Sequence, residues 1–147
     1  RGEGELADAT SALDWLQTIN PAARSVWVAG FSFGSWIGMQ LLMRRPEIDS
    51  FISIAPPANM LDFTFLAPCP TSGMIIQGDQ DEIVPEASVA KLVHKLSYQR
   101  GIKIDYRVIQ GADHFFTDKT DVMQKAVESY LDQALFNPAS MGFAMSA

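Results

Sequence analysis

The segment Val26-Trp-Val-Ala-Gly-Phe-Ser-Phe-Gly-Ser35 limits what this chain can fold into more than any other stretch. An apolar run enters Gly30-Phe31-Ser32-Phe33-Gly34, and a helical pattern begins at once. G-x-S-x-G between a strand and a helix predicts a sharp turn that lifts the serine hydroxyl above the end of a parallel sheet. Such a turn strains the serine backbone, and side chains at positions 30 and 34 are expected to collide with neighbouring backbone. Ser32 is therefore the candidate nucleophile. The helix behind it would offer the Phe33 N–H and the positive end of its dipole to a developing oxyanion.

A serine hydroxyl needs a base, and the chain has 2 histidines. His94 falls off the apolar face made by Val89, Leu92, Val93 and Leu96, beside Lys91 and Lys95, and reads as a solvated helix residue. His114 sits in Gln110-Gly-Ala-Asp-His-Phe-Phe116, a loop that follows the apolar run 102–109. The end of a parallel strand is where a base can reach the turn. Gly78-Asp-Gln-Asp-Glu-Ile-Val-Pro85 follows another apolar run and supplies Asp79, Asp81 and Glu82 as candidate orienting acids. The acid would accept the His114 Nδ1–H and fix the tautomer, and the chain order serine, acid, histidine suits a parallel sheet of this kind.

These motifs carry a resemblance. With GFSFGS at 30–35, GDQDEIVP at 78–85, GADHFF at 111–116 and a helix holding Leu13-Asp-Trp-Leu16, the chain resembles small bacterial alpha/beta-hydrolases. It is closest in pattern to the lidless, dienelactone-hydrolase-like esterases, from about residue 2 to about residue 136. The resemblance implies that the second acid of the G-D-x-D motif, Asp81, joins Ser32 and His114 in a triad. Asp79 would shape the loop and Glu82 would face solvent. Dienelactone hydrolases proper carry a cysteine nucleophile, so Ser32 implies esterase-like chemistry over lactone-ring specialisation, without a cofactor, and the short connection 56–72 points to a small soluble ester. Thioester hydrolysis, acyl transfer and peptide hydrolysis of the prolyl-oligopeptidase type use the same parts. A non-catalytic, self-associating chain is the alternative outside enzymology.

Patterning predicts helix 5–19, strand 25–30, helix 33–45, strands 50–55 and 73–78, helix 86–99, strand 103–109 and helix 119–136. This alternation means an α/β fold, a parallel sheet of about four strands with helices on both faces. It corresponds to the carboxy-terminal part of an alpha/beta-hydrolase domain over 1–136, with 137–147 a flexible tail. A complete hydrolase of that kind has strands ahead of the nucleophile strand, and its second oxyanion donor comes from there. The sequence is accordingly expected to be amino-terminally shortened, with activity reduced by about 10²–10³ for the missing donor. Strand 25–30, apolar on both faces, would present an open edge, and self-association through it is expected.

The connection 56–72 carries Pro56, Pro57, Pro68 and Pro70 and is too short for a multi-helix lid. Trp36, Met60, Phe63 and Phe116, with Phe33 and Phe65, are expected to wall a shallow apolar pocket. Seventeen acidic against 11 basic residues, net −6 and without a Lys/Arg stripe, argue against nucleic acid and anionic membrane. No apolar run reaches membrane-spanning length. Two histidines and one cysteine cannot make a usual zinc site, and neither G-x-x-x-x-G-K nor G-x-G-x-x-G occurs. Cys69 alone excludes an internal disulfide and favours a cytoplasmic setting, while a signal peptide ahead of Arg1 stays open.

Overall fold

The structure, a computed structural model, describes residues 2–137, so nearly all of the expected 137–147 tail lies outside the described residues. The elements in chain order are α1 (Glu3–Ile19), β1 (Trp27–Phe31), α2 (Phe33–Arg44), β2 (Ser50–Ile54), β3 (Gly73–Gly78), α3 (Glu86–Ser97), β4 (Ile104–Ile109) and α4 (Thr120–Phe136). The strands lie side by side in the order β1-β2-β3-β4, every pair parallel, with Phe31 opposite Ile54 and Gly78 opposite Ile109. All four carboxyl ends therefore share one rim. The loops that leave β1, β3 and β4 there carry Ser32, Asp81 and His114.

Alternating side chains of the strands feed two apolar layers. Phe51 and Ile75 point to the layer filled by Leu6 and Leu13 of α1, Ile37 and Leu41 of α2, and Val89, Leu92 and Leu96 of α3. Ile52, Met74 and Ile76 point the other way, towards Ala126 and Tyr130 of α4. This is an α/β fold, a four-stranded parallel sheet covered on both faces, as the alternation implies.

Where an element end departs from the sequence pattern it moves by one or two residues, and distant side chains account for two of the shifts. The Asp49 carboxylate accepts from Ser25 Oγ and the Val26 N–H, both at 3.0 Å, and β1 starts at Trp27 instead of residue 25. Gln99 leaves the α3 pattern to accept the Cys69 N–H at 2.6 Å and donate to Leu66 O at 3.2 Å, so α3 stops at Ser97. Cys69 itself is buried, which pushes its thiol up, away from the reactive thiolate.

The connection between β2 and β3 holds one 3₁₀ turn, Thr64–Leu66, and no helical lid among the described residues. It is pinned to the rest of the molecule. Trp36 Nε1 of α2 donates to Asp62 O at 2.8 Å, and Asn59 Nδ2 donates to Ile83 O at 3.1 Å.

Candidate active site

Ser32 takes φ 51° and ψ −122°, a backbone conformation that side chains rarely adopt, between the last residue of β1 and the first of α2. Its N–H is held by Ile54 O at 2.8 Å, the hydrogen bond that continues the β1–β2 ladder into the turn. A Cβ on Gly30 would overlap the Gly34 carbonyl, so the turn requires glycine there. Gly34 has open space where its Cβ would be; the expectation that both glycines are sterically required holds only at Gly30. The Phe33 N–H opens α2 and, like the first amide of any helix, has no intrahelical acceptor.

His114 lies in the loop after β4, 5% exposed, with Nε2 3.0 Å from Ser32 Oγ and Nδ1 2.7 Å from Asp81 Oδ2. The Asp81 side chain is wholly buried. Its Oδ1 accepts the Ile83 and Val84 N–H groups, each at 2.8 Å, and its Oδ2 accepts from Gln77 Nε2 at 3.1 Å as well as facing His114. An ionised carboxylate only accepts, so the ring proton belongs on Nδ1 and the Nε2 lone pair faces the serine hydroxyl. Such an arrangement can pass a proton from Oγ to the ring and stabilise the imidazolium that results.

Two devices bring the acid and histidine loops together. Gly78 lets the loops touch, since a Cβ there would overlap Ala112 O. Asp79 then stitches them, its Oδ1 accepting the Gly111 N–H at 2.7 Å while Ala112 O accepts the Gln80 N–H at 3.0 Å. Asp79 is thus the loop-shaping acid and Glu82 is exposed, as the motif implies. Within the histidine loop, Asp113 Oδ1 accepts the Thr117 N–H at 2.9 Å and the Phe115 N–H at 3.0 Å. Those amides, Thr117 foremost, hold the Asp113 carboxyl below the usual range.

The expected pocket residues divide. Trp36 is half-buried, its ring 5.8 Å from that of Phe33, and Met60 is 56% exposed. Phe116 requires correction. It is 2% exposed and lies in the layer beneath α4 with Met74, Ile76 and Tyr130, so it cannot wall a pocket open to substrate. Its φ of 54° turns the ring inward and leaves Phe115 outside instead. Phe63 is buried too, in the layer that holds Leu92 and Leu96 of α3. It lines a cavity of about 320 Å³ whose lining includes Leu66, Leu92 and Leu96 but none of Ser32, Asp81 and His114.

The aromatic surface beside the histidine comes from residues that the sequence motifs do not mark. The rings of Phe31 and Phe115 each stand 5.2 Å from His114, and Phe115 is 65% exposed. Gln77 is unmarked too. Its Nε2 donates to Val84 O at 2.8 Å in addition to Asp81, while its buried Oε1 has no partner among the described residues. An unpaired buried acceptor costs on the order of 1–3 kcal/mol. Among the described residues, no group of three His, Cys, Asp or Glu side chains could hold a metal ion, and no helix is long and apolar enough to cross a membrane.

Comparison with known proteins gives this geometry a family. The sequence pattern of the dienelactone hydrolase family matches residues 2–136. An uncharacterized protein of Rickettsia prowazekii is 57% identical over 134 residues, which cover 88% of this chain and 56% of that protein. A crystal structure of a protein of unknown function from Agrobacterium tumefaciens is 54% identical, with a TM-score of 0.92 over 99% of this chain and 66% of that one. A Xanthomonas campestris protein described as an alpha/beta serine hydrolase without a lid is 31% identical, with a TM-score of 0.80 over 90% of this chain and 57% of that one. The chain thus spans between about half and two thirds of the length of these relatives.

Proposed function

We propose, from the premise that the chain belongs to the dienelactone hydrolase family and is a hydrolase, that it cleaves small carboxylic esters through an acyl-enzyme on Ser32. The observation that supports this reading is the unbroken relay Asp81 Oδ2, His114 Nδ1, His114 Nε2, Ser32 Oγ, with links of 2.7 and 3.0 Å.

In the first half-reaction His114 Nε2 takes the hydroxyl proton as Oγ adds to the ester carbonyl. The Phe33 N–H and the α2 dipole stabilise the oxyanion, and Asp81 stabilises the imidazolium. The tetrahedral intermediate collapses, and His114 returns its proton to the departing alcohol. Water then adds to the acyl-enzyme with His114 as base, releasing the acid and regenerating Ser32. The ester is proposed to be small and partly apolar, because Phe31, Phe33 and Phe115 present exposed rings next to the relay.

The test joins fluorophosphonate labelling with hydrolysis of p-nitrophenyl acetate. The parent chain is expected to label on Ser32 and to turn over the ester. Ser32→Ala abolishes labelling, and His114→Ala lowers turnover by about 10⁴–10⁶. A folded parent that neither labels nor turns over defeats the reading. Faster turnover of acyl thioesters than of oxygen esters would move the substrate class to thioesters and leave the relay in place.

A further inference from the structure

We propose that Gln77 is a positioning residue of the acid arm, fixing the Asp81 carboxylate in the orientation that bonds His114; this rests on reading Ser32, His114 and Asp81 as a catalytic relay. Gln77 is the penultimate residue of β3 and has no exposed surface. Its three polar neighbours, Asp81 Oδ2, Val84 O and Gly78 O, are all acceptors, at 3.1, 2.8 and 3.3 Å from Nε2. Only the NH₂ end of the amide can face them, so its orientation follows from chemistry. The other end of the amide then has no partner among the described residues.

That unpaired oxygen is the reason to assign a role. The preceding residues of β3 are Met74, Ile75 and Ile76, and an apolar side chain of similar length at 77 would carry no unpaired oxygen of its own, while taking from Val84 O the donor it has in Gln77. What such a side chain could not do is donate. Asp81 Oδ1 is anchored by two backbone amides, whereas among the described residues Oδ2 is held by Gln77 and His114 alone. With the amide removed, the imidazole is tied to an oxygen that has no other anchor, and Nε2 loses its aim at Ser32.

The charged groups facing this position are few. Asp81 comes from the same loop, and His114 stands across it from the loop after β4. Val108 is the register partner of Gln77 on β4, and Ala55 follows β2 on the other side. Glu86, at the start of α3, accepts the Tyr106 hydroxyl at 2.7 Å. A carboxyl introduced at 77 would therefore answer mainly to Asp81. Protonated, its O–H can donate to Oδ2 as the amide does. Ionised, it sets a second negative charge against the first.

Two variants in the intact protein separate positioning from plain packing. Gln77→Met is expected to lower kcat about ten-fold with KM within about two-fold, measured at a temperature where its melting curve shows the variant still folded. Gln77→Glu is expected to keep much of the parent's turnover at the acid end of the working range. It should then lose it as pH rises, giving a descending limb that the parent lacks. Gln77→Met with the parent's kcat overturns the proposal. So does a Gln77→Glu profile of the parent's shape, or a loss in both variants that only tracks lowered melting. Failure of the relay reading looks different: the parent itself, folded, would not label with fluorophosphonate, and the inference falls with it.

Discussion

A single hydrogen at Gly78 separates the acid loop from the histidine loop. Because a Cβ there would enter the Ala112 carbonyl, Gly78→Ala must push the two loops apart at the point where Gln80 and Asp79 tie them. Displacing a catalytic group by about 1 Å can cost about 10² in rate, so we expect kcat to fall by roughly that factor while KM changes little, as measured on a short ester. Phe116→Ala tests the opposite assignment. A phenylalanine this buried costs about 3–5 kcal/mol to truncate, and we expect denaturant melts to show that loss with KM within about two-fold on the folded fraction. A raised KM at unchanged stability would return Phe116 to the pocket wall. Ser32 and His114 are legible because each sits in a short pattern whose meaning is local, a turn or a strand end, whereas only the family resemblance separates Asp81 from Asp79 and Glu82. Phe115 and Phe116 were indistinguishable in that way. Which ring turns outward depends on a positive φ at a phenylalanine, a conformation no side-chain preference announces. Gln77 reads as one polar residue in an apolar strand until Asp81 is known to fold back beneath it.

At the scale of elements, β1 and α4 are joined by Trp27 and Tyr130, whose rings meet edge to face at 5.8 Å. Tyr130 is 1% exposed, and burial pushes its phenol up to about 12. Burial also raises Tyr106, helped by its bond to Glu86. The sign follows from linkage. An unfolded tyrosine ionises near pH 10 while the folded one stays neutral to about 12, so the stability that α4 docking derives from this ring is complete below about pH 10 and is lost as pH rises towards 12. Melting temperatures between pH 9 and 12 should fall for the parent and fall less for Tyr130→Phe. Equal slopes would mean that the ring is not what titrates. The elements themselves were legible from the alternation of apolar runs with helical stripes. Their ends were less so, because Asp49 and Gln99 act on segments more than twenty residues away in sequence.

At the scale of the whole molecule, the sheet has two edges among the described residues, β1 and β4, and they differ in chemistry. On β4, Asp105 and Arg107 form an ion pair at 2.7 Å on a strand flanked by Lys103, and charges of this kind discourage pairing with another chain. On β1, the sequence Trp27-Val-Ala-Gly-Phe31 carries no charge, and Ala29 and Phe31 are exposed. Net charge of −6 over 147 residues is a weak barrier once salt screens it. We therefore expect this 147-residue chain to self-associate through β1, and through β1 rather than β4. Sedimentation across a concentration series should give a dimer or larger species that persists at high salt, since strand pairing and apolar contact gain nothing from low ionic strength. Ala29→Lys places a charge in the middle of the edge and should shift the distribution towards monomer, whereas Val108→Lys on β4 should leave it unchanged. A parent that sediments as a monomer throughout the series would rule the edge out as an interface. Dissociation by Val108→Lys alone would move the interface to the opposite side of the sheet, leaving β1 without a role in assembly.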